Sequence, residues 1–307
     1  MNVIIPLGGI GNRFLKEDYL RPKPLVNILG KPMIFWLLDN INLSINDDLY
    51  IIYNNCLDKW SFKELILNKY PDIKLISINY QTKGPVETLL YGLNKLDNKS
   101  LRKKTITLDC DTFYLIDIIN KYENINNNAV FYFNDGQNKP LYSYIKLNEE
   151  NEIEDIKEKE RISNNANSGC YCFTSGHLLK TYCQRVINKN SNNAEQFYIS
   201  DVIKEIINDK NDNNSDSIRK FIGIKITKDQ FNCLGTPIQV KIFSNTYRNF
   251  EPRRICFDLD NTLVTFPRIK GDYKTVEPIY KNIELCRYLK NLGNTIIIYT
   301  ARRMRTH

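Results

Sequence analysis

Short apolar runs separated by polar turns dominate the first hundred residues. Residues 3–5 form one such run, and it leads directly into a glycine-rich stretch. Residues 49–53, 75–79 and 105–108 are further runs of strand length. Between them, 33–42, 63–69 and 86–96 repeat their apolar residues at helical spacing. Strands alternating with helices predict an α/β fold: a mainly parallel, Rossmann-like mixed sheet with helices on both faces.

The periodicity then changes. Residues 129–134, 142–147, 153–157 and 169–173 read as successive strands, and 195–207 as a helix. Ser175-Gly176-His177 reads as a turn, and the Asn-rich stretches 188–193 and 208–217 as surface loops. Composition breaks near 250–254, where a fresh strand begins at 254–259. We therefore expect a first domain over 1–250 and a partial second α/β unit over 251–307.

Composition narrows the setting. Of 307 residues, 42% are hydrophobic and 25% charged, as in soluble globular proteins. No apolar run approaches the roughly 18 residues that span a bilayer, and the start has no secretory pattern. The eight cysteines are scattered without paired CxxC spacing. They are expected to be reduced, mostly buried thiols of a cytoplasmic protein, with Cys170 and Cys172 on opposite faces of their strand. The net charge of +8 is spread along the chain among acidic residues. It suits anionic small molecules better than nucleic acid. No membrane partner is expected, and the sequence leaves the oligomeric state open, a homo-oligomer included.

The glycine stretch, Leu7-Gly8-Gly9-Ile10-Gly11-Asn12-Arg13-Phe14, lets backbone N–H groups approach phosphate oxygens. Phe14 stands where a dinucleotide fingerprint has its third glycine, and no Gly-Lys-Ser/Thr follows for a P-loop. Downstream, Pro22-Lys23-Pro24-Leu25 fixes a lysine between two stiff rings. Arg13 and Lys23 could clamp a triphosphate. These elements, with Gly30-Lys31-Pro32-Met33-Ile34, resemble the sugar-phosphate nucleotidyltransferase family. The resemblance implies that Arg13 contacts the triphosphate and that Lys23 neutralises the reacting phosphates.

Further segments extend the resemblance. Gln81-Thr82-Lys83-Gly84 resembles the family's base-recognition loop, with Gln81 able to read a base edge and Gly84 giving close approach. Leu108-Asp109-Cys110-Asp111 ends a strand where open parallel sheets bind ligands. There Asp111 would be the ligand of Mg²⁺, the expected cofactor, with Asp109 as a second candidate. Glu158-Lys159 and Asn167-Ser168-Gly169 resemble the elements that bind the sugar phosphate. Cys233-Leu234-Gly235-Thr236-Pro237 resembles an element in which many members carry a metal-binding aspartate at the position of Cys233, and a thiol is a poor Mg²⁺ ligand. His177 and His307 are not expected to act in catalysis.

In the second unit, Asp258-Leu259-Asp260-Asn261-Thr262 follows an apolar strand, and Thr300 follows another. Two carboxylates so spaced could serve as nucleophile and acid/base. This resembles the haloacid dehalogenase-like phosphatases. The stretch 252–307 lacks the lysine and acidic pair that the family places further on, so we expect it to be inactive as it stands. The resemblances together imply that a nucleoside triphosphate and a sugar phosphate yield a nucleotide sugar and pyrophosphate. The fused motif suggests a part in polysaccharide biosynthesis. Two other readings stay open on sequence alone: a sugar-phosphate phosphatase with a substrate-binding front domain, and a non-catalytic nucleotide-sugar-binding protein.

Overall fold

The protein is described here by a computed structural model covering residues 1–9, 14, 16–17, 19–137, 139–190, 196–209, 219–247, 253–291 and 294–302. The chain divides into two compact units, Met1–Phe243 and Ser244–His307. The boundary expected at 250/251 lies among residues 248–252, outside the described ones.

The strands of the first unit are β1 (Asn2–Leu7), β2 (Asn27–Ile28), β3 (Lys31–Pro32), β4 (Asp48–Asn54), β5 (Lys74–Ile78), β6 (Thr105–Leu108), β7 (Thr112–Tyr114), β8 (Asn128–Asn134), β9 (Ser143–Leu147), β10 (Ile153–Glu158), β11 (Asn165–Phe173), β12 (Phe221–Lys225) and β13 (Phe231–Cys233). Nine of them form one sheet. Its main path runs β10-β9-β11-β6-β1-β4-β5, and β8 joins β11 to β12. β1 is parallel to β4 and β6, and β4 to β5, whereas β11 runs antiparallel to β6 and β8. The fold is the expected mixed, mainly parallel α/β sheet on its β1 side.

β1 shows why the sheet needs helices on both faces. Val3, Ile5 and Leu7 pack into one apolar cluster with the helices Met33–Leu38 and Phe62–Lys69. Ile4 points the other way, into a cluster with the helices Pro85–Leu93, Gly176–Asn190 and Ile199–Asn208. A strand buried on both faces reads as continuous apolar sequence. The β1–β6 register ends at Ile4↔Thr107. Pro6, which has no N–H to give, lies beyond that last pair. Here β1 and β6 part, their connections leave in opposite directions, and the crevice that open α/β sheets use for ligands begins.

Several sequence readings need correction. Residues 176–177 do not form a turn: they open the helix Gly176–Asn190. Its mixed, weakly apolar sequence hid a face that buries Leu179, Tyr182, Cys183 and Val186. The helix expected at 195–207 runs Ile199–Asn208 instead, with residues 196–198 outside it and Tyr198 extended as its N-cap. Cys170 and Cys172 share one face of β11, with their sulfurs 3.9 Å apart. Strand side chains alternate, so residues two apart point the same way. The cysteines are free, but only Cys170, Cys172 and Cys183 are buried, and Cys256 is exposed.

The second unit pairs β14 (Arg254–Asp258) in parallel with β15 (Thr295–Tyr299), joined through the helix Tyr280–Asn291. Leu259, Leu263, Ile283, Cys286, Ile296 and Ile298 line an apolar groove of about 460 Å³. Among the described residues, no helix is long and apolar enough to cross a membrane.

Candidate active site

Lys23 lies in a single 3-10 turn, Lys23–Leu25, whose flanking prolines dictate its shape. Leu25 N–H donates to the Pro22 carbonyl at 2.8 Å, and Val26 N–H to that of Lys23 at 3.2 Å. Pro24 and Leu25 are buried, anchoring the turn from beneath. The chain then reverses between β2 and β3 through Leu29 and Gly30, both at positive φ, as a two-residue hairpin turn requires. The lysine is thus held by backbone, and only its side chain is free to reach out.

That side chain reaches Asp111, where Lys23 Nζ donates to Oδ2 in an ion pair. Lys23 keeps 25% of its side-chain exposure and Asp111 16%. Burial alone lowers the Lys23 pKa. The Asp111 charge outweighs it, helped by Cys110 and Asp109, so the pKa is raised and the ammonium is retained. A lysine and a carboxylate remote in sequence have converged where β1 and β6 separate.

Two neighbours fix Asp111, and Gly169 fixes Asp109. Its carbonyl accepts from Leu234 N–H at 2.6 Å, tying it to β13, which pairs antiparallel with β7. A methyl at Gly235 would stand 2.6 Å from Asp111 Oδ2, so only glycine admits the carboxylate there. Asp109 N–H donates to the Gly169 carbonyl at 2.9 Å. Gly169 itself has φ +93, and a methyl on it would stand 2.8 Å from Asp109 Oδ2. The Gly169 geometry arises at a bulge in β11, between Asn167 and Tyr171.

Asp109 is held well above the usual carboxylate range, by burial first and then by the Asp111 charge, with Lys23 opposing. It therefore tends to keep its proton. Burial pushes the Cys110 thiol up to about 12 and that of Cys233 up to about 11, with the Asp111 charge adding to both. Near neutral pH both stay thiols, which hard cations bind poorly.

Gly8 packs against Thr88 of the helix Pro85–Leu93. A methyl at Gly8 would stand 2.1 Å from Thr88 Oγ1 and 2.2 Å from Thr82 Oγ1, whereas one at Gly9 would meet nothing. The two hydroxyls are themselves 2.7 Å apart. Gly8 is therefore needed for close approach, and Gly9 leaves backbone open above it. Gly8→Ala should cost about 1–3 kcal/mol of stability, read as a lowered urea midpoint with m unchanged. Leu7 is buried, so only its backbone can serve a ligand. Arg13 and Gly11 lie outside the described residues. Gln81 is exposed. Gly84, at φ +122, abuts the Phe197 carbonyl at a distance that leaves a side chain no room.

On the β10 side, Glu158 accepts from Ser143 Oγ at 2.6 Å and Ser200 Oγ at 3.4 Å, and pairs with Lys159 at 3.4 Å. Lys159 adopts φ +51, in the left-handed region. Asn167 is buried; its Oδ1 accepts from Gly169 N–H while Nδ2 has no partner. Glu158 also raises the Asp109 pKa by its charge, which places the two carboxylates near one another. The structure thus joins Lys23 to Asp111 and Asp109 to Gly169 by direct contact, and brings Glu158 near Asp109.

Sequence reading missed Thr82, Thr88, Tyr142, Tyr198 and Gln239. Gln239 Nε2 donates to Tyr142 Oη at 3.1 Å, beside Gly235. The sequence carries one usable signal for these residues: Asp201, three after Tyr198, caps a helix start by accepting from Tyr198 N–H at 2.9 Å. The others are partners across the fold and leave no local trace.

In the second unit, Asp260 accepts from Thr300 Oγ1 at 3.1 Å and from Arg302 Nε at 2.8 Å. The guanidinium also stacks on Tyr273, 4.3 Å from the ring centre. Among the described residues, no group of three or more His, Cys, Asp or Glu side chains could hold a metal ion.

No curated protein matches the sequence. Among solved structures, a nucleoside-diphosphate-sugar pyrophosphorylase from Vibrio cholerae RC9 matches at 17% identity and TM-score 0.66, covering 79% of this chain and 99% of that one. The inositol-1-phosphate CTP transferase from T. maritima matches at 11% identity and TM-score 0.59, over 81% and 96%. The CTP:phosphocholine cytidylyltransferase from Streptococcus pneumoniae matches at 17% and 0.56, over 80% and 97%. At these identities the likeness concerns the fold. The family model described as Nucleotidyl transferase matches residues 2–221, most of the chain. With that match, the chain belongs to the nucleotidyl transferase family.

Proposed function

We propose that the chain joins a nucleoside triphosphate to a sugar phosphate. A phosphate oxygen of the sugar attacks the α-phosphorus, the bond from the α-phosphorus to the bridging oxygen breaks, and pyrophosphate leaves. The single observation that carries this reading is the Lys23–Asp111 pair. The acceptor phosphate is already an anion and needs no general base, so charge neutralisation and alignment dominate the chemistry. Lys23 neutralises the reacting phosphates, and the backbone at Gly8 and Gly9 receives the outer ones.

The residues present fit a magnesium ion that takes few protein ligands. Asp111 already draws a cation, and its place against Gly235 leaves the carboxylate unhindered. Mg²⁺ accepts one or two carboxylates and completes its shell with substrate phosphates and water. Asp111 would hold it, and once bound it would offset the charge of the leaving pyrophosphate.

The acceptor side favours a hydroxylated molecule. The unpartnered Asn167 Nδ2 seeks an oxygen, Glu158 accepts from hydroxyls already, and Lys159 supplies positive charge. A quaternary ammonium would instead want an aromatic cage. Asn167→Ala should raise the acceptor KM about tenfold, the worth of one hydrogen bond, with the nucleotide KM unchanged. In the second unit Asp260 is engaged by Arg302 and Thr300, so we assign no phosphatase activity to the haloacid dehalogenase-like motif of Asp258, Asp260 and Thr300.

The test is pyrophosphate release with each common triphosphate against sugar 1-phosphates, inositol 1-phosphate and phosphocholine. Release with a sugar phosphate is expected. Silence across the whole panel defeats the proposal, and release with phosphocholine alone defeats the sugar assignment.

A further inference from the structure

We infer that Tyr198 is a positioning residue that holds Lys159 in place and ties it to the loop expected to receive the base. The observations begin at Lys159. A lysine at φ +51 occupies a backbone region that costs L-residues roughly 1 kcal/mol or more. Such a conformation persists only where surrounding contacts impose it. Two contacts do so. Lys159 N–H donates to the Tyr142 carbonyl at 2.9 Å. Its ammonium donates to Tyr198 Oη at 3.2 Å and lies 4.7 Å from the centre of the same ring. The Tyr198 hydroxyl in turn donates to Gln196 Oε1, so its lone pair is aimed at the lysine.

Tyr198 is itself fastened to the loop at 81–85. Phe197 N–H donates to the Lys83 carbonyl at 2.8 Å, and Val86 N–H donates to the Phe197 carbonyl at 3.4 Å. Gly84 lies so close that a methyl on it would stand 2.6 Å from the Phe197 oxygen. Displacement at Gly84 is therefore passed to Phe197, then to its neighbour Tyr198, and so to the Lys159 ammonium. Ser200, two residues on, reaches Glu158 at 3.4 Å, so one short segment grips both members of the Glu158–Lys159 pair. A nucleotide that orders the loop thereby sets the cation that meets the acceptor phosphate. By linkage, the acceptor strengthens nucleotide binding by the same factor.

The kinetic part of this inference rests on the proposed transferase reading, but the mechanical part does not. Acylation of Lys159 by an N-hydroxysuccinimide ester, followed by mass spectrometry, reads the mechanical part on the ligand-free full chain. Tyr198→Phe keeps the ring and removes the hydroxyl, and should raise Lys159 labelling about threefold or more. Gly84→Ala should do the same from the other end of the relay. Labelling of Lys31 and Lys74 should stay unchanged in both, which shows the fold intact. Equal Lys159 labelling in wild type and Tyr198→Phe overturns the hold. A response to Tyr198→Phe but not to Gly84→Ala overturns the tie. With a sugar phosphate that turns over, Tyr198→Phe should raise its KM several-fold while the nucleotide Kd, measured without acceptor, holds steady. A purely structural defect would move both. If no substrate turns over, the transferase reading fails while the labelling result still decides this one.

Discussion

Lys23→Ala should reduce kcat by roughly a hundred- to a thousandfold, the usual cost of removing one preorganised charge from a phosphoryl-type transition state. The fall should appear in kcat more than in the nucleotide KM, because neutralisation matters most as charge shifts toward the leaving group. Lys23→Arg should recover little. The turn at Lys23–Leu25 is locked by Pro22 and Pro24, so the backbone cannot withdraw to accommodate a longer, forked group. The measurement is steady-state pyrophosphate release at saturating acceptor. A Lys23→Ala enzyme with wild-type kcat would remove the lysine from the reaction altogether. Folding should change far less than activity, since the ion pair keeps partial contact with water.

Asp111→Asn should lower activity by about a thousandfold if the carboxylate holds the metal, corresponding to several kcal/mol of charge stabilisation. The amide keeps the shape and loses the charge. It also frees Lys23 from its ion pair. Titration with Mn²⁺, followed by electron paramagnetic resonance in the presence of triphosphate, separates the two effects: the variant should bind the ion more weakly even when nucleotide affinity is retained. Gly235→Ala offers a gentler check, because its methyl would press on Asp111 Oδ2 at 2.6 Å without changing any charge. Unaltered metal binding in Asp111→Asn would move the ligand role to another group.

Eight of the nine strands of the large sheet were legible from apolar runs or alternation bounded by polar turns, β6 at Thr105–Leu108 among them, whereas β12 (Phe221–Lys225) was not read. Lys23 and Asp111 were legible for a different reason: proline on both sides of a lysine, and aspartates at a strand end, are local patterns with local causes. The helix Gly176–Asn190 escaped notice because its apolar face is diluted by Lys180, Gln184 and Arg185. Tyr198 escaped because its partner Lys159, and the Lys83 carbonyl that ties down its neighbour Phe197, are distant in sequence. Gly169 could be recognised from its motif, yet the physical need for it, the Asp109 carboxyl against its Cα, depends on a bulge that no local pattern announces.

The pairing of β7 with β13 has a consequence for synthesis. Asp111 emerges from the ribosome long before Phe231–Cys233, the strand whose neighbour Leu234 binds its carbonyl. A nascent chain can lay down β1, β4, β5 and β6 from nearby contacts, but the carboxylate waits for a partner far downstream. The proposed catalytic corner is therefore among the last parts to acquire its final form, and a chain interrupted before residue 231 would resemble the full-length protein in most of its sheet while lacking the brace on Asp111.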